Sequence, residues 1–219
     1  MSDIKKNVED LKKELDGFNG RIIAAVKYVD AKKTLEAYDA GLRDFGENRI
    51  QDALERFPLL PQEMKKNSTW HFIGHLQSNK VRKVVGTFDY IHSVDSFDIS
   101  KNISRVASEM GIIQKILIEV NISGENSKYG FSEKEIFDNF ESLAKLEGTR
   151  VVGLMTVAPS TSNGVFLEKV FTNLKELSYN IKHKYHVELS ELSMGMSSDY
   201  KEAIKAGSTM IRLGKKIFL

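Results

Sequence analysis

A (β/α)8 TIM barrel preceded by one extra helix is the fold that this sequence predicts. Three observations carry the prediction. Short apolar strand candidates alternate with helical patterns along the whole chain, the signature of a parallel sheet covered by helices. Eight such strands can be picked out, which favours a closed barrel over an open doubly wound sheet. The first strand runs into "KYVDAKK" and not into a G-x-G-x-x-G turn, so the fingerprint of an open dinucleotide-binding sheet is absent. The 219 residues sit near the lower end of the roughly 200 to 250 usual for such a barrel.

The opening segment, "MSDIKKNVEDLKKELDGF", is an amphipathic helix. Ile4, Val8, Leu11, Leu15 and Phe18 recur at spacings of three and four, and the other face is charged. Strand and helix then alternate. "RIIAAVKY" leads to "AKKTLEAYDAG", "DFGEN" to "RIQDALERF", "TWHFIG" to "SNKVRKVVG", and "YIHSVD" to "SFDISKNISRVASEMG". "KILIEVN" leads to "SEKEIFDNFESLAKLEG", "VVGLMTV" to "VFLEKVFTNLKELSYNIKHKYH", and "ELSMG" to "SSDYKEAIKAG"; "TMIRLG" is the last strand. Gly41, Gly86, Gly111, Gly148 and Gly207 end helical patterns, where a left-handed C-cap is expected. Pro58, Pro61 and Pro159 all fall between elements, and no linker or low-complexity run divides the chain. One domain over residues 1–219 is expected.

Composition narrows the function classes. Apolar residues make up 41% of the chain, enough for a sizeable core. The net charge of +2 is too balanced to announce a nucleic-acid or membrane partner. With no cysteine, disulfides, thiolate zinc sites and a cysteine nucleophile are excluded together. No apolar run suggests a signal peptide or a membrane span. A cytoplasmic monomer is the expectation. His183 and His186 lack a third ligand and read as solvated, not metal-binding.

In such a barrel the chemistry gathers at the C-terminal ends of the strands. Those ends offer Lys27, Glu47 and Asn48, His75, Ser93 and Asp95, Asn121, Met155 and Thr156, Met194, Arg212 and Gly214. Strand parity turns Ile23, Ala25 and Lys27 inward and Val26 outward; Met210 and Arg212 share the inward face of the last strand. Two buried cations in one cavity repel, and each carries a desolvation cost. A lysine held as a neutral imine would remove one of them. "MGMSSDYKEAIKAG" and "RLGKKIF" each place a glycine turn before a helix start, where free N–H groups attract phosphate. An imine-forming lysine, a phosphate cradle and a cation facing a ring together describe pyridoxal 5'-phosphate (PLP). Plainer readings stand beside these. Lys27 can pair with Glu47 or Glu119, Asn48 can cap the next helix, Ser197 and Ser198 can be ordinary caps, and His75 can be structural.

The segments "AAVKY", "FGENRIQDALER", "WHFIGHLQSNKVRKVV", "IHSVDS", "EVNISGENSKYGF", "GLMTVAP" and "LSMGMSSDYKEAIKAGSTMIRLG" occur in one order along nearly the whole chain. In this the sequence resembles the YggS/PROSC family of PLP-binding, PLP-homeostasis proteins. The resemblance implies the barrel of the alanine racemase N-terminal domain, with PLP held as an imine on Lys27. It implies Asn48 near the ring, Arg212 at the pyridine nitrogen, and Ser197 with the main chain at Gly214 and Lys215 around the phosphate. It also implies that His75 and Met155 line the pocket. Two positions depart from the family pattern. Lys215 stands where many members have serine or threonine, so that contact falls to the main chain or to charge. Val26 stands where serine is usual, and by parity it faces the helices.

Three functions follow as expectations. The first is a PLP carrier or buffer with little or no turnover, supplying apo PLP-dependent enzymes. Arg212 at the ring favours it, since an arginine does not keep the ring nitrogen protonated as a carboxylate does. A chain that stops just past the eighth strand favours it too. The second is an amino-acid racemase, for which Tyr129 is the candidate proton donor. The third, from the barrel alone, is a lysine-imine aldolase or a phosphosugar binder with no cofactor.

Overall fold

The computed structural model describes residues 3–125 and 127–219. Eight parallel strands close in chain order: β1 (Arg21–Ala25), β2 (Asp44–Glu47), β3 (Thr69–Phe72), β4 (Tyr90–Val94), β5 (Gln114–Glu119), β6 (Thr149–Met155), β7 (Glu191–Met196) and β8 (Met210–Leu213). The seam closes by β1 on β8, with Ile23 beside Arg212 and Ala24 beside Leu213. The helices are α1 (Asp3–Glu14), α2 (Ala31–Asp39), α3 (Ile50–Arg56), α4 (Gln62–Asn67), α5 (Val81–Val84), α6 (Phe97–Glu109), α7 (Glu133–Ala144), α8 (Gly164–Tyr185), α9 (Tyr200–Ala206) and α10 (Lys215–Phe218). All eight expected strands form, so the expected fold is the observed one.

Alternation along each strand builds two apolar layers. Val26, Phe45, Ile91, Ile116, Ile118, Leu154, Ile211 and Leu213 face the helices in one continuous core. Ile23, Tyr90, Leu117, Met155 and Met210 face inward and fill the barrel's own centre. The barrel is therefore packed below its mouth, and a ligand has room only at the strand ends.

The extra helix has a structural task. α10 has only four residues, too short to cover the seam between β8 and β1. α1 packs against both α10 and α2 and fills that place. Ile4, Val8 and Leu11 are its buried stripe, and the Asn7 amide donates to Ile217 O at 3.2 Å. Glu14 pins the helix end, 2.7 Å from the Lys201 amine and 3.0 Å from that of Lys216.

Three local expectations need correction. "SNKVRKVVG" is a 3-10 turn over Ser78–Lys80 followed by the single turn of α5. α4 was not anticipated; it starts directly after Pro61, whose ring suits the position before a helix. Gly41, Gly86, Gly111 and Gly207 do have positive φ, but Gly148 does not. Gly148 is small for another reason: a Cβ there would lie 2.1 Å from Ser104 O.

Candidate functional site

Lys27 does not sit where the strand pattern put it. β1 ends at Ala25, and Val26 is the last residue held in the wall, with its N–H on Gly46 O at 3.0 Å. The chain then turns, and the Val29 N–H closes back on Val26 O at 3.0 Å. Lys27 is exposed at the barrel mouth, and its amine lies 4.8 Å from the centroid of the Tyr28 ring. The expected burial of this lysine is therefore corrected. An exposed ammonium stays hydrated, so the repulsion inferred between two buried cations does not arise. Parity holds as far as Val26 and fails at Tyr28, whose φ of 62° takes it out of strand geometry. The plain reading that Lys27 pairs with Glu47 does not hold either: Glu47 is fully buried and forms its ion pair with Arg56.

Arg212 is buried, as its parity required. Its guanidinium donates to Ser193 Oγ at 2.5 Å and to Thr156 O at 2.9 Å. Burial pulls its pKa down to about 10, against the opposing pull of Glu119 and Asp199, so it remains a cation at neutral pH. Ser193 is also the upper end of a buried chain of hydrogen bonds. His92 Nδ1 lies 2.8 Å from Ser193 Oγ, His71 Nδ1 lies 2.9 Å from His92 Nε2, and His71 Nε2 lies 3.0 Å from Asp44 Oδ1. Arg21 donates to the same carboxylate oxygen at 3.1 Å. Burial favours neutral imidazoles, and the carboxylate end then sets the direction of the chain. A carboxylate only accepts, so His71 donates to Asp44, His92 to His71, and Ser193 to His92. Each neutral imidazole then has its proton on Nε2. Burial pushes the pKa of His71 down and that of His92 well down.

Across the mouth, His75 Nδ1 lies 3.0 Å from Asp95 Oδ2, and its ring stacks on Tyr129 at 3.9 Å between centroids. Tyr129 is 58% exposed. The loop that carries it is clipped to the end of β5 by Phe131 N–H on Glu119 O and Asn121 N–H on Phe131 O, each at 2.9 Å. Gly130, with φ 111°, makes that clip possible, because a Cβ there would lie 2.9 Å from Glu119 O. A cleft lined by Glu119, Asn121, Lys128, Tyr129 and Val157 opens beside it. Burial, helped by the charge of Asp95 and opposed by Arg212, raises the Glu119 pKa to about 7.

A testable consequence follows. A carboxyl whose folded pKa lies above its unfolded value stabilises fully below pH 4.5, and that contribution is lost as pH rises through about 7. Glu119→Gln should therefore gain stability relative to the parent by roughly 3 kcal/mol between acid and mildly alkaline pH. Denaturant melts of both proteins at several pH values check this; parallel pH profiles would contradict it.

Ser197 gathers the remaining donors. Its Oγ accepts the N–H of Gly214 at 3.3 Å and that of Lys216 at 3.4 Å. It is not the cap of α9. Asp199 holds that position, with its carboxylate turned back onto the Met196 N–H at 2.6 Å. Gly195, near the end of β7, has φ 96°, and a Cβ there would lie 2.6 Å from Ala203 Cβ. Lys215 is exposed at the start of α10. Asn48 is half-buried at the end of β2, and it is no cap either, since α3 starts at Ile50 with Arg49 before it. Met155 is sealed into the inner apolar layer and forms part of the floor.

Register brings the first group together. Arg212 pairs with Ile23 on one side and Met196 on the other, and Ala25 O lies 3.4 Å from where a Gly214 Cβ would be. Ser197, Arg212 and Gly214 thus gather on the seam of β7, β8 and β1, and Lys27 follows the end of β1 beside it. Asn48 lies one strand away, and His75 belongs to the opposite rim with Asp95 and Tyr129. Sequence reasoning missed His71, His92 and Ser193. The available signal was their inward parity in "TWHFIG", "YIHSVD" and "ELSMG".

The donor set suits the PLP that the resemblance implies. Two long, weak N–H bonds converge on one hydroxyl, and a phosphate oxygen would replace that hydroxyl at no cost in partners. Nothing closer than ordinary contact fills the space over Gly214. An exposed amine and a fixed guanidinium complete the set.

Comparison with known proteins gives the family. The family described as "Alanine racemase, N-terminal domain" matches residues 1–219. The Pyridoxal phosphate homeostasis protein of Synechocystis is 41% identical over 198 residues, covering 90% of each chain. Its namesake in Escherichia coli K12 is 33% identical and covers 100% of this chain and 97% of its own. PipY of Synechococcus elongatus PCC7942, solved with PLP bound, superposes with a TM-score of 0.88 at 33% identity, covering 99% of this chain and 100% of its own.

Proposed function

We propose that this chain, which belongs to the alanine racemase N-terminal domain family and within it to the pyridoxal phosphate homeostasis proteins, binds PLP at its barrel mouth and carries or buffers it with little or no turnover. The observation that carries the reading is the gathering of Arg212, Ser197 and Gly214 on one seam, with Lys27 on the turn that follows β1. The shared name of the relatives and the PLP found in PipY support it.

When bound, PLP supplies an aldehyde that takes up an amine and a ring that stores electron density. Ser197 and the main-chain N–H groups from Gly214 to Lys216 hold the phosphate, with Lys215 contributing through its backbone or its charge. Lys27 would offer the amine for the aldehyde, and its exposure on a turn leaves it free to reach in and to let go. Asn48 flanks the ring, Met155 floors it, and His75 with Tyr129 walls the far side. Arg212 offers only donors, so a ring nitrogen facing it keeps its lone pair and stays unprotonated. The hydrogen-bond chain to Asp44 helps to keep that guanidinium in place through Ser193. The ring then draws electrons weakly, which suits holding the cofactor better than transforming substrates on it.

The reading extends to one barrel domain over residues 1–219, acting as a monomer in the cytoplasm and supplying apo PLP-dependent enzymes. No helix among the described residues is long and apolar enough to cross a membrane. The test is a spectral titration of the purified protein with PLP, followed by addition of an apo PLP-dependent enzyme. A saturable near-visible band that drains as the enzyme gains activity is expected. A band that stays while the enzyme remains inactive would overturn the carrier role.

A further inference from the structure

The turn that carries Lys27 is strained and held from one side. Tyr28 has φ 62°, in the left-handed region, although it has a bulky side chain and is 81% exposed. Such a backbone is costly for a bulky residue and persists only where the surroundings fix it. Exposed Tyr28 packs too little to fix it, so the restraint must act on the main chain on either side.

Arg56, the last residue of α3, supplies that restraint. Its side chain is only 7% exposed. Its NH2 donates to Val26 O at 3.2 Å and to Val29 O at 2.6 Å, and its Nε donates to Val29 O at 3.1 Å. Val26 and Val29 are the residues that bracket Lys27 and Tyr28, and the Val29 N–H closes the turn on Val26 O. The remaining guanidinium nitrogen forms the ion pair with Glu47, fully buried at the end of β2. Beyond the turn, Asp30 caps α2 by accepting the Lys33 N–H at 2.7 Å. One buried fork thus fastens both ends of a strained two-residue tip to the strand beside it.

We infer that Arg56 is a positioning residue for the Lys27 amine, with Glu47 as its anchor. This rests on the proposed joining of PLP to Lys27. A planar fork with several fixed donors meets two carbonyls and a carboxylate together; an ammonium on a flexible stem does not. Without the fork the tip can relax toward ordinary backbone angles, and the amine then leaves the barrel mouth for part of the time. The phosphate cradle and Arg212 lie on β7, β8 and α10 and make none of these contacts.

The test separates attachment from docking. Attachment is the rate at which the near-visible band appears with PLP and at which borohydride fixes the label on Lys27. Docking is the affinity for pyridoxine 5'-phosphate, which has the ring and phosphate but no aldehyde. Arg56→Met alone leaves Glu47 buried and unpaired, so the informative variants are Arg56→Lys and the double change Glu47→Met with Arg56→Met. In both, attachment should slow at least about tenfold, the equivalent of about 1.4 kcal/mol, while docking stays within about threefold. Unchanged attachment in a folded variant overturns the inference. Equal loss of attachment and docking also overturns it, because that marks a general structural role. If the double variant does not fold, Arg56→Lys is judged by the same two numbers. A parent protein that docks pyridoxine 5'-phosphate but is not labelled at Lys27 overturns the proposed role of Lys27 instead.

Discussion

Lys27→Ala will abolish the near-visible band that PLP produces with the parent protein, together with its trapping by borohydride. The amine at this position is the one presented by the turn after β1, beside the seam that carries Arg212 and the Ser197 cradle. The barrel will stay folded. Lys27 is exposed and contributes no buried contact, and exposed substitutions of this kind change stability by about 0.5 kcal/mol or less. Phosphate and ring contacts remain, so weak, colourless docking should persist. Peptide mapping after reduction checks the assignment. A label on Lys128, another lysine near the mouth, would show that the wrong amine had been chosen. Lys128 is a poor candidate because its amine is already engaged, 2.6 Å from Glu125 and 3.1 Å from Val157 O.

Arg212→Glu has the largest expected effect on the fold. Arg212 is buried and is the cation that faces Glu119 and Asp199. A glutamate there would bury a third carboxyl beside those two and leave Ser193 Oγ and Thr156 O without their donor. Breaking a buried charge pair in this way costs roughly 3–5 kcal/mol. For a chain of this size that corresponds to a fall in Tm of about 6–20 °C. Arg212→Met, which removes the cation without adding a charge, should cost less. Thermal melts of the two variants give the order; equal melting temperatures would contradict the electrostatic account. The change also cuts the relay at its upper end, so loss of PLP binding is expected in both.

The barrel was legible in the sequence because its rule is simple. A strand buried on one side by helices and on the other by its neighbours reads as a short apolar run, and eight such runs appear. The inward parity of Arg212 followed from Met210 two residues earlier. Parity could not locate Lys27, because it ends where the strand ends, and β1 ends three residues before the expected strand "RIIAAVKY" does. The relay from Ser193 through His92 and His71 to Asp44 was hidden for a different reason. Each of its members looks like an ordinary strand residue, and only closure of the barrel sets four different strands around one axis. Gly148 shows the same limit on a smaller scale. Its place after a helix suggested a left-handed cap, but the close approach of Ser104 O dictates it, and that contact comes from another helix. Ser197 and Asn48 looked like helix caps in the sequence. The structure assigns both caps to the residues Asp199 and Arg49, leaving Ser197 and Asn48 free for the mouth.

The central claim is that the protein holds PLP without turning over a substrate on it, and racemisation by the PLP-loaded protein tests this most directly. The group that could prove the claim wrong is Tyr129, the phenol at the rim, stacked on His75 beside the cleft. Loaded protein incubated with single enantiomers of small amino acids should show turnover orders of magnitude below the order of 10 per second usual for enzymes. Tyr129→Phe should leave that residual rate unchanged. Turnover near 10 per second that is lost in Tyr129→Phe would contradict the account and make the protein a racemase.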